Sequence, residues 1–220
     1  MIIDSLFQHV APHDCLGCGL EGTVLCPACR PRLTAVPGRC YRCHRQMLSG
    51  RTCPACRRQS ALYAVRAATG YDGVAKDLVW RLKFDGMVAA AAEMARCLAP
   101  LMPAGPDVLL VPLPTATSRV RQRGYDQAGL LVRELSRLTG LPHATCLRRL
   151  GQHHQVGAGR QQRLAQLKDA YRPINAKLIA GKHIILVDDV LTTGASLEAA
   201  ATTLKTAGAR RITGLVFAQA

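Results

Sequence analysis

The sequence predicts an α/β fold, a mostly parallel sheet flanked by helices, with a small cysteine-rich unit ahead of it. Three observations carry this. Continuously apolar segments such as "HIILV" (183–187) and "ITGLVFA" (212–218) alternate with stretches whose apolar residues recur at helical spacing. That is the pattern of strands covered on both faces by crossover helices. Eight of the ten cysteines fall in the first 56 residues, all in C-x-x-C pairs. Finally, 220 residues suffice for one sizeable core plus a satellite. The division is expected near residue 60, giving units 1–60 and 61–220.

The elements of the larger unit follow in order. "LYAVRAATGY" (62–71) reads as a strand. "GVAKDLVWRLKF" (73–84) reads as a helix, with Val74, Leu78, Val79 and Leu82 at helical spacing. A second, Ala-rich helix over 88–99 ends before Pro100. "DVLLVPLP" (107–114) is a short buried strand broken by prolines. Residues 126–140 form an amphipathic helix with Leu131, Val132, Leu135 and Leu138 on its stripe and Gly140 at its stop. After the 183–187 strand, a helix over 194–208 stops at Gly208, and 212–218 is the last strand.

In the head, the pairs are Cys15/Cys18, Cys26/Cys29, Cys40/Cys43 and Cys53/Cys56. Two cysteines two residues apart form a knuckle that aims both sulfurs at one ion, and two knuckles complete a tetrahedral Zn–S₄ site. Eight cysteines thus provide for about two structural zinc ions. Sequential pairing of the knuckles is the simplest arrangement; a crossed one satisfies the spacing too. A disulfide framework needs an oxidising compartment, and a redox C-x-x-C occurs once, on a thioredoxin-like unit. With few large apolar side chains in 1–60, metal binding is expected to supply most of the folding free energy there. Such closed sites carry no catalysis.

The formal net charge is +15, a balance that attracts polyanions. Arg30, Arg32, Arg39, Arg42, Arg45, Arg51, Arg57 and Arg58 in the head suit either nucleic-acid binding or simple solubility. No apolar run approaches the roughly 18–20 residues that span a bilayer, so no membrane insertion is expected. The opening "MIIDSLFQHV" has no basic start and no small-residue cleavage site, so a cytoplasmic protein is expected.

The chemistry concentrates at "IILVDDVLTTGAS" (184–196). In parallel sheets, ligands bind at the carboxyl ends of strands. "TTGAS" offers backbone N–H groups at a helix N-terminus, hydroxyls from Thr192, Thr193 and Ser196, and close approach at Gly194, which together suit a phosphate. It is not a Walker loop. Asp188 and Asp189 suit the vicinal hydroxyls of a sugar, or Mg²⁺ bridging sugar and pyrophosphate. A ribose 5-phosphate fits this arrangement. The competing reading, a helix cap with a spare acid, explains one aspartate but not two acids plus the whole loop.

"ILVDDVLTTGAS" resembles the phosphoribosyl pyrophosphate (PRPP) signature of type I phosphoribosyltransferases. "VPLP" followed by "RVRQRGYDQA", then "QVGAGRQQRLAQLKDAY", "YDGVAKDLVWRLKFDG" and the cysteine-rich head are similar to segments of the ComF family, which includes competence proteins and GntX-like proteins. Asp126 and Gln166 stand where that family usually has Asn, and Tyr125 and Tyr171 where it has Phe.

The resemblance implies a type I phosphoribosyltransferase fold behind a double zinc ribbon. It implies that Asp188 and Asp189 hold the ribose hydroxyls and that Thr192, Thr193, Gly194, Ala195 and Ser196 wrap the 5-phosphate. Leu113, Pro114, Arg119 and Arg123 would form the pyrophosphate loop, Arg being suited to bidentate contact with phosphate oxygens. Gln155 and Arg163 would reach in from a mobile loop over 148–172, Lys83 is a further candidate, and a hood around 61–106 would choose the acceptor. Two functions follow: Mg²⁺-dependent phosphoribosyl transfer to an unidentified acceptor, linked to DNA uptake; or a non-catalytic PRPP or nucleotide sensor that binds single-stranded DNA. A partner protein in the competence machinery belongs to either. With so few aromatic residues, DNA binding would rest on phosphate contacts and fall steeply with salt.

Overall fold

The computed structural model describes residues 13–103, 105–150 and 170–220. Four strands, β1 (Ala64–Gly70), β2 (Val108–Pro112), β5 (His183–Leu191) and β6 (Arg211–Gln219), form an all-parallel sheet in the order β1-β6-β5-β2. A separate antiparallel pair joins β3 (Leu147–Arg149) to β4 (Tyr171–Pro173). The longer helices are α1 (Gly73–Phe84), α2 (Ala89–Leu98), α3 (Thr117–Arg123), α4 (Gln127–Thr139) and α5 (Ala195–Thr206).

Alternation along each strand sorts the core into two layers. Leu110, Ile185, Val187, Leu215 and Phe217 pack with α1, α2 and α4. Leu109, Val111, Ile184, Leu186 and Val216 pack with α5 and the β3–β4 pair. A strand sends successive side chains to opposite faces, so continuous apolar runs are what a sheet covered on both sides requires.

The head spans both layers. Cys15, Val24, Leu25, Cys26 and Cys29 join the α1/α2/α4 layer, whereas Tyr41 joins the α5 layer. On either side of Tyr41 the head runs along the β1 edge, where Thr52 N–H donates to the Tyr63 carbonyl (2.9 Å) and Gly70 N–H to the Thr34 carbonyl (3.0 Å). Gly50, with φ of +66°, lies so close to the Val65 carbonyl that no Cβ would fit. Among the described residues, no helix is long and apolar enough to cross a membrane.

Most predicted elements form within a residue or two of the expected bounds. The 183–187 strand runs on to Leu191, so the aspartates lie within β5 and not after it. Helix α3, the β3–β4 pair and the single turn Ala176–Ile179 were not expected from periodicity.

Candidate functional site

A cleft of about 300 Å³ opens at the carboxyl ends of β2 and β5. Asp188 and Asp189 form part of its floor, Leu113 and Pro114 follow β2, and Thr192 and Ser196 border the N-terminus of α5. Arg119 and Arg123 line it from α3. Both arginines therefore lie on a short helix and not on an extended loop. They are four residues apart, hence on one helix face.

Asp189 continues the face of Ile185 and Val187 and lies 6% exposed. Its Oδ1 receives Lys83 Nζ from the last turn of α1 at 2.7 Å. Asp188 points to the other face, and its Oδ1 accepts the Asp189 N–H at 2.9 Å. Burial and then the adjacent Asp189 carboxylate push the Asp188 carboxyl up to about 8. Two acids so placed retain a proton at neutral pH unless a cation or a set of hydroxyl donors faces them. Hard oxygen donors of this kind fit Mg²⁺, which prefers one or two carboxylates plus ligand oxygens.

The loop after β5 divides its labour. Thr192 and Thr193 are exposed, and Gly194 is buried in the left-handed conformation with φ of +74°. The first backbone N–H groups of α5 have no intrahelical partner, because that ladder begins where Glu198 N–H donates to the Gly194 carbonyl (2.9 Å). With the helix dipole behind them, they form an anion seat. Thr193, Gly194 and Ala195 do not line the cleft with side chains, so any contribution they make is through the backbone.

Tyr71, Thr115, Gln127, Arg149 and Val190 also line the cleft, although the sequence reading gave them no role there. Gln127 is only 2% exposed, and its Nε2 is buried without a hydrogen-bond partner. A buried amide donor left open costs about 1–3 kcal/mol, which a ligand acceptor in the cleft would relieve. Its place in "RGYDQA" was the available signal. Thr115 Oγ1 donates to Asp126 Oδ1 at 2.8 Å, and burial pushes the Asp126 carboxyl up. Arg149 lies at the start of the 148–172 segment expected to be a mobile loop, but the ends of that segment are paired strands, and it is the β3–β4 pairing that brings Arg149 to the site. The guanidinium of Arg123 stacks on Phe84, 5.2 Å from the ring centroid. Gln155 and Arg163 lie outside the described residues.

Away from the cleft, the eight cysteines gather sequentially: Cys15, Cys18, Cys26 and Cys29 in one cluster, Cys40, Cys43, Cys53 and Cys56 in the other, each with all sulfurs within 4.8 Å. The Cys18–Cys26 and Cys43–Cys53 sulfurs are 3.7 and 3.6 Å apart. Zn–S bonds of about 2.3 Å set a tetrahedral edge of about 3.8 Å, whereas a disulfide needs about 2.05 Å. Both clusters fit a closed Zn–S₄ site.

Residues 120–219, which include the end of α3 with Arg123, β5, the loop and α5, match the family model described as the phosphoribosyl transferase domain. The carboxylate floor and the anion seat both fall inside the stretch that matches this domain. Over 188 residues the chain is 28% identical to Competence protein ComFC of Bacillus subtilis, covering 74% of this chain and 75% of that one. With Competence protein F of Haemophilus influenzae it shares 31% identity over 106 residues, 47% of this chain and 46% of the relative, so that match spans about half of each. The chain is thus similar to the ComF-type competence proteins, with two zinc-ribbon-like Cys₄ clusters ahead of a stretch that matches the phosphoribosyl transferase domain. A glutamine PRPP amidotransferase from B. subtilis aligns with 58% of this chain and 26% of its own, at 18% identity and a TM-score of 0.42.

Proposed function

We propose that the cleft binds PRPP with Mg²⁺ and transfers its phosphoribosyl group to an acceptor, in a cytoplasmic protein linked to DNA uptake. One observation supports this above the others: a buried acid pair lies between an anion seat on α5 and two arginines on α3. A ligand anionic at both ends, with hydroxyls in the middle, matches that order.

In this reading Asp188 and Asp189 accept hydrogen bonds from the ribose hydroxyls, and Lys83 holds Asp189 in place. The loop 192–196 receives the 5-phosphate through backbone N–H groups and hydroxyls. Arg119 and Arg123 meet pyrophosphate oxygens, and the open Gln127 amide donates to another acceptor. Loss of pyrophosphate from C1 leaves positive charge on the sugar and negative charge on the leaving group. Arginines fixed beforehand stabilise the latter without reorganising. Mg²⁺, held through the aspartates, would neutralise pyrophosphate charge. Gln155 and Arg163 would complete the site from the 148–172 loop. The two clusters hold structural zinc.

Titration calorimetry with PRPP, with and without Mg²⁺, tests the reading. Metal-dependent binding is expected in the wild type and its loss in the double variant Asp188→Asn, Asp189→Asn. Wild-type protein that takes up no PRPP at all would sink it.

The second reading, a sensor that binds single-stranded DNA, has its own support. Tyr63 is ringed by Arg51, Arg57 and Arg211, whose guanidinium carbons lie 5.1, 4.8 and 4.5 Å from its ring centroid. This basic aromatic patch stands beside the amino-terminal ends of β1 and β6, away from the cleft. Binding through it would weaken steeply with salt; affinity for an oligonucleotide that ignores salt would count against it.

A further inference from the structure

Tyr41 sits inside the third knuckle, between Cys40 and Cys43, yet its side chain does not serve the ribbon. Residues 42–46 are exposed, whereas Tyr41 is 7% exposed and packs in the α5 layer. Its ring lies against Gly194: a Cβ on that glycine would stand 2.7 Å from ring Cδ2 and 3.0 Å from Cε2. Gly194 is thus required twice, by its left-handed φ and by the ring above it.

The Tyr41 hydroxyl donates to Glu198 in the first turn of α5 and lies 2.8 Å from Ser60 Oγ. Glu198 accepts as well from Ser60 Oγ (2.8 Å) and from the Ala61 N–H (2.7 Å). One side chain from a metal-binding knuckle therefore touches the phosphate loop at two points, its glycine and its first helical turn. The knuckle that carries Tyr41 has its sulfurs gathered with those of Cys53 and Cys56, and an ion shared by the four would fix it.

We propose that Tyr41 is a positioning residue for the phosphate loop, and that through it the metal-loaded state of the second cluster sets how tightly the cleft holds a 5-phosphate. This rests on the PRPP reading. The loop has exposed threonines on one side and a glycine free to adopt many conformations, so its N–H groups converge on an anion only if something holds the backbone. Tyr41 holds it from behind, out of reach of the ligand.

Hydrogen exchange over 190–200 in the ligand-free full chain tests the coupling apart from PRPP. Tyr41→Ala is expected to speed exchange there while exchange in β6 stays unchanged. Stripping the metals with a chelator is expected to do the same. Tyr41→Phe keeps the ring on Gly194 and is expected to restore most of the protection. With Mg²⁺ present, Tyr41→Ala is expected to weaken PRPP binding by about tenfold or more, an effect of about 1.4 kcal/mol, and Tyr41→Phe by much less. Unchanged exchange over 190–200 in Tyr41→Ala overturns the proposal. If Tyr41→Ala fails to fold, Tyr41→Leu, which removes the ring from Gly194, and Glu198→Gln decide it: both must speed exchange in the first turn of α5, and unchanged exchange in both overturns the proposal. A wild type without PRPP affinity would overturn the PRPP reading, and the exchange result would still decide the coupling.

Discussion

The head and the sheet solve the same folding problem with different materials. In β5 and β6 nearly every position is buried, filled by Ile, Leu, Val and Phe side chains. Between residues 13 and 60 only ten positions are buried, and five of them are cysteines. A sheet of that kind draws its stability from apolar area removed from water. A head with sulfur at its buried positions, gathered in two clusters that fit an ion, is expected to draw it from metal–thiolate bonds. The difference shows why the two regions tolerate opposite insults.

Metal removal should separate them most sharply. Chelation is expected to abolish exchange protection across 13–60 while β6 and the 183–189 part of β5 keep theirs, because isolated zinc-finger peptides gain about 10–16 kcal/mol from the ion. Loss of sheet protection in the same step would mean that the head is part of the sheet's own cooperative unit. The opposite insult is Phe217→Ala. Phe217 is fully buried in the α1/α2/α4 layer, so its truncation should cost about 3–5 kcal/mol. The urea midpoint is expected to fall without release of zinc to a colorimetric chelator.

A third test uses pH. Burial, then the nearby Arg211, Arg210 and Arg66, push the His183 imidazole down to about 4. Its ring Nε2 lies 3.0 Å from Thr213 Oγ1 at the start of the sheet. A base whose folded pKa is depressed contributes stability that is fully present above its unfolded value near 6.5. That stability falls as the pH drops from there toward 4, because the unfolded chain takes up the proton first. Up to about 3 kcal/mol is expected to disappear across that window, and His183→Gln should flatten the profile.

The sheet was easier to read in the sequence than the site, for a physical reason. Continuous apolar runs report burial on both faces, and β5 and β6 announced themselves in that way. The strand end was misjudged because Asp188 and Asp189 look like a stop, although a strand continues wherever its backbone stays paired, as Val190 with Ala218 does here. Helix α3 escaped because "TSRVRQR" buries none of its residues and so has no stripe. Arg149 and Gln127 reach the cleft through tertiary pairing and a helix start, neither of which leaves a periodic trace. Tyr41 was invisible for a related cause: inside "CYRC" it reads as ribbon, and only the packed structure sets it on Gly194.

The smallest effect sharpens the comparison within the head itself. Beside each cluster a polar side chain reaches a glutamate of the sheet-bearing part, Arg30 to Glu93 and Tyr41 to Glu198, and the two go to different layers. Arg30, next to Cys29, meets Glu93 of α2 at 2.9 Å, and Glu93 also takes bonds from Thr23 and Arg96. Arg30 is partly exposed, and its Nε is buried without a partner, so the pair is not an optimal one. Arg30→Met keeps the aliphatic stem and leaves Glu93 its other two donors. The expected cost is about 1–2 kcal/mol, the scale of one hydrogen bond to a charged group. No residue of α2 lines the cleft, so the affinity for PRPP should not change in this variant. Equal loss of PRPP binding in Arg30→Met and Tyr41→Ala would show that head docking as a whole supports the cleft, and would remove the distinction between the two clusters.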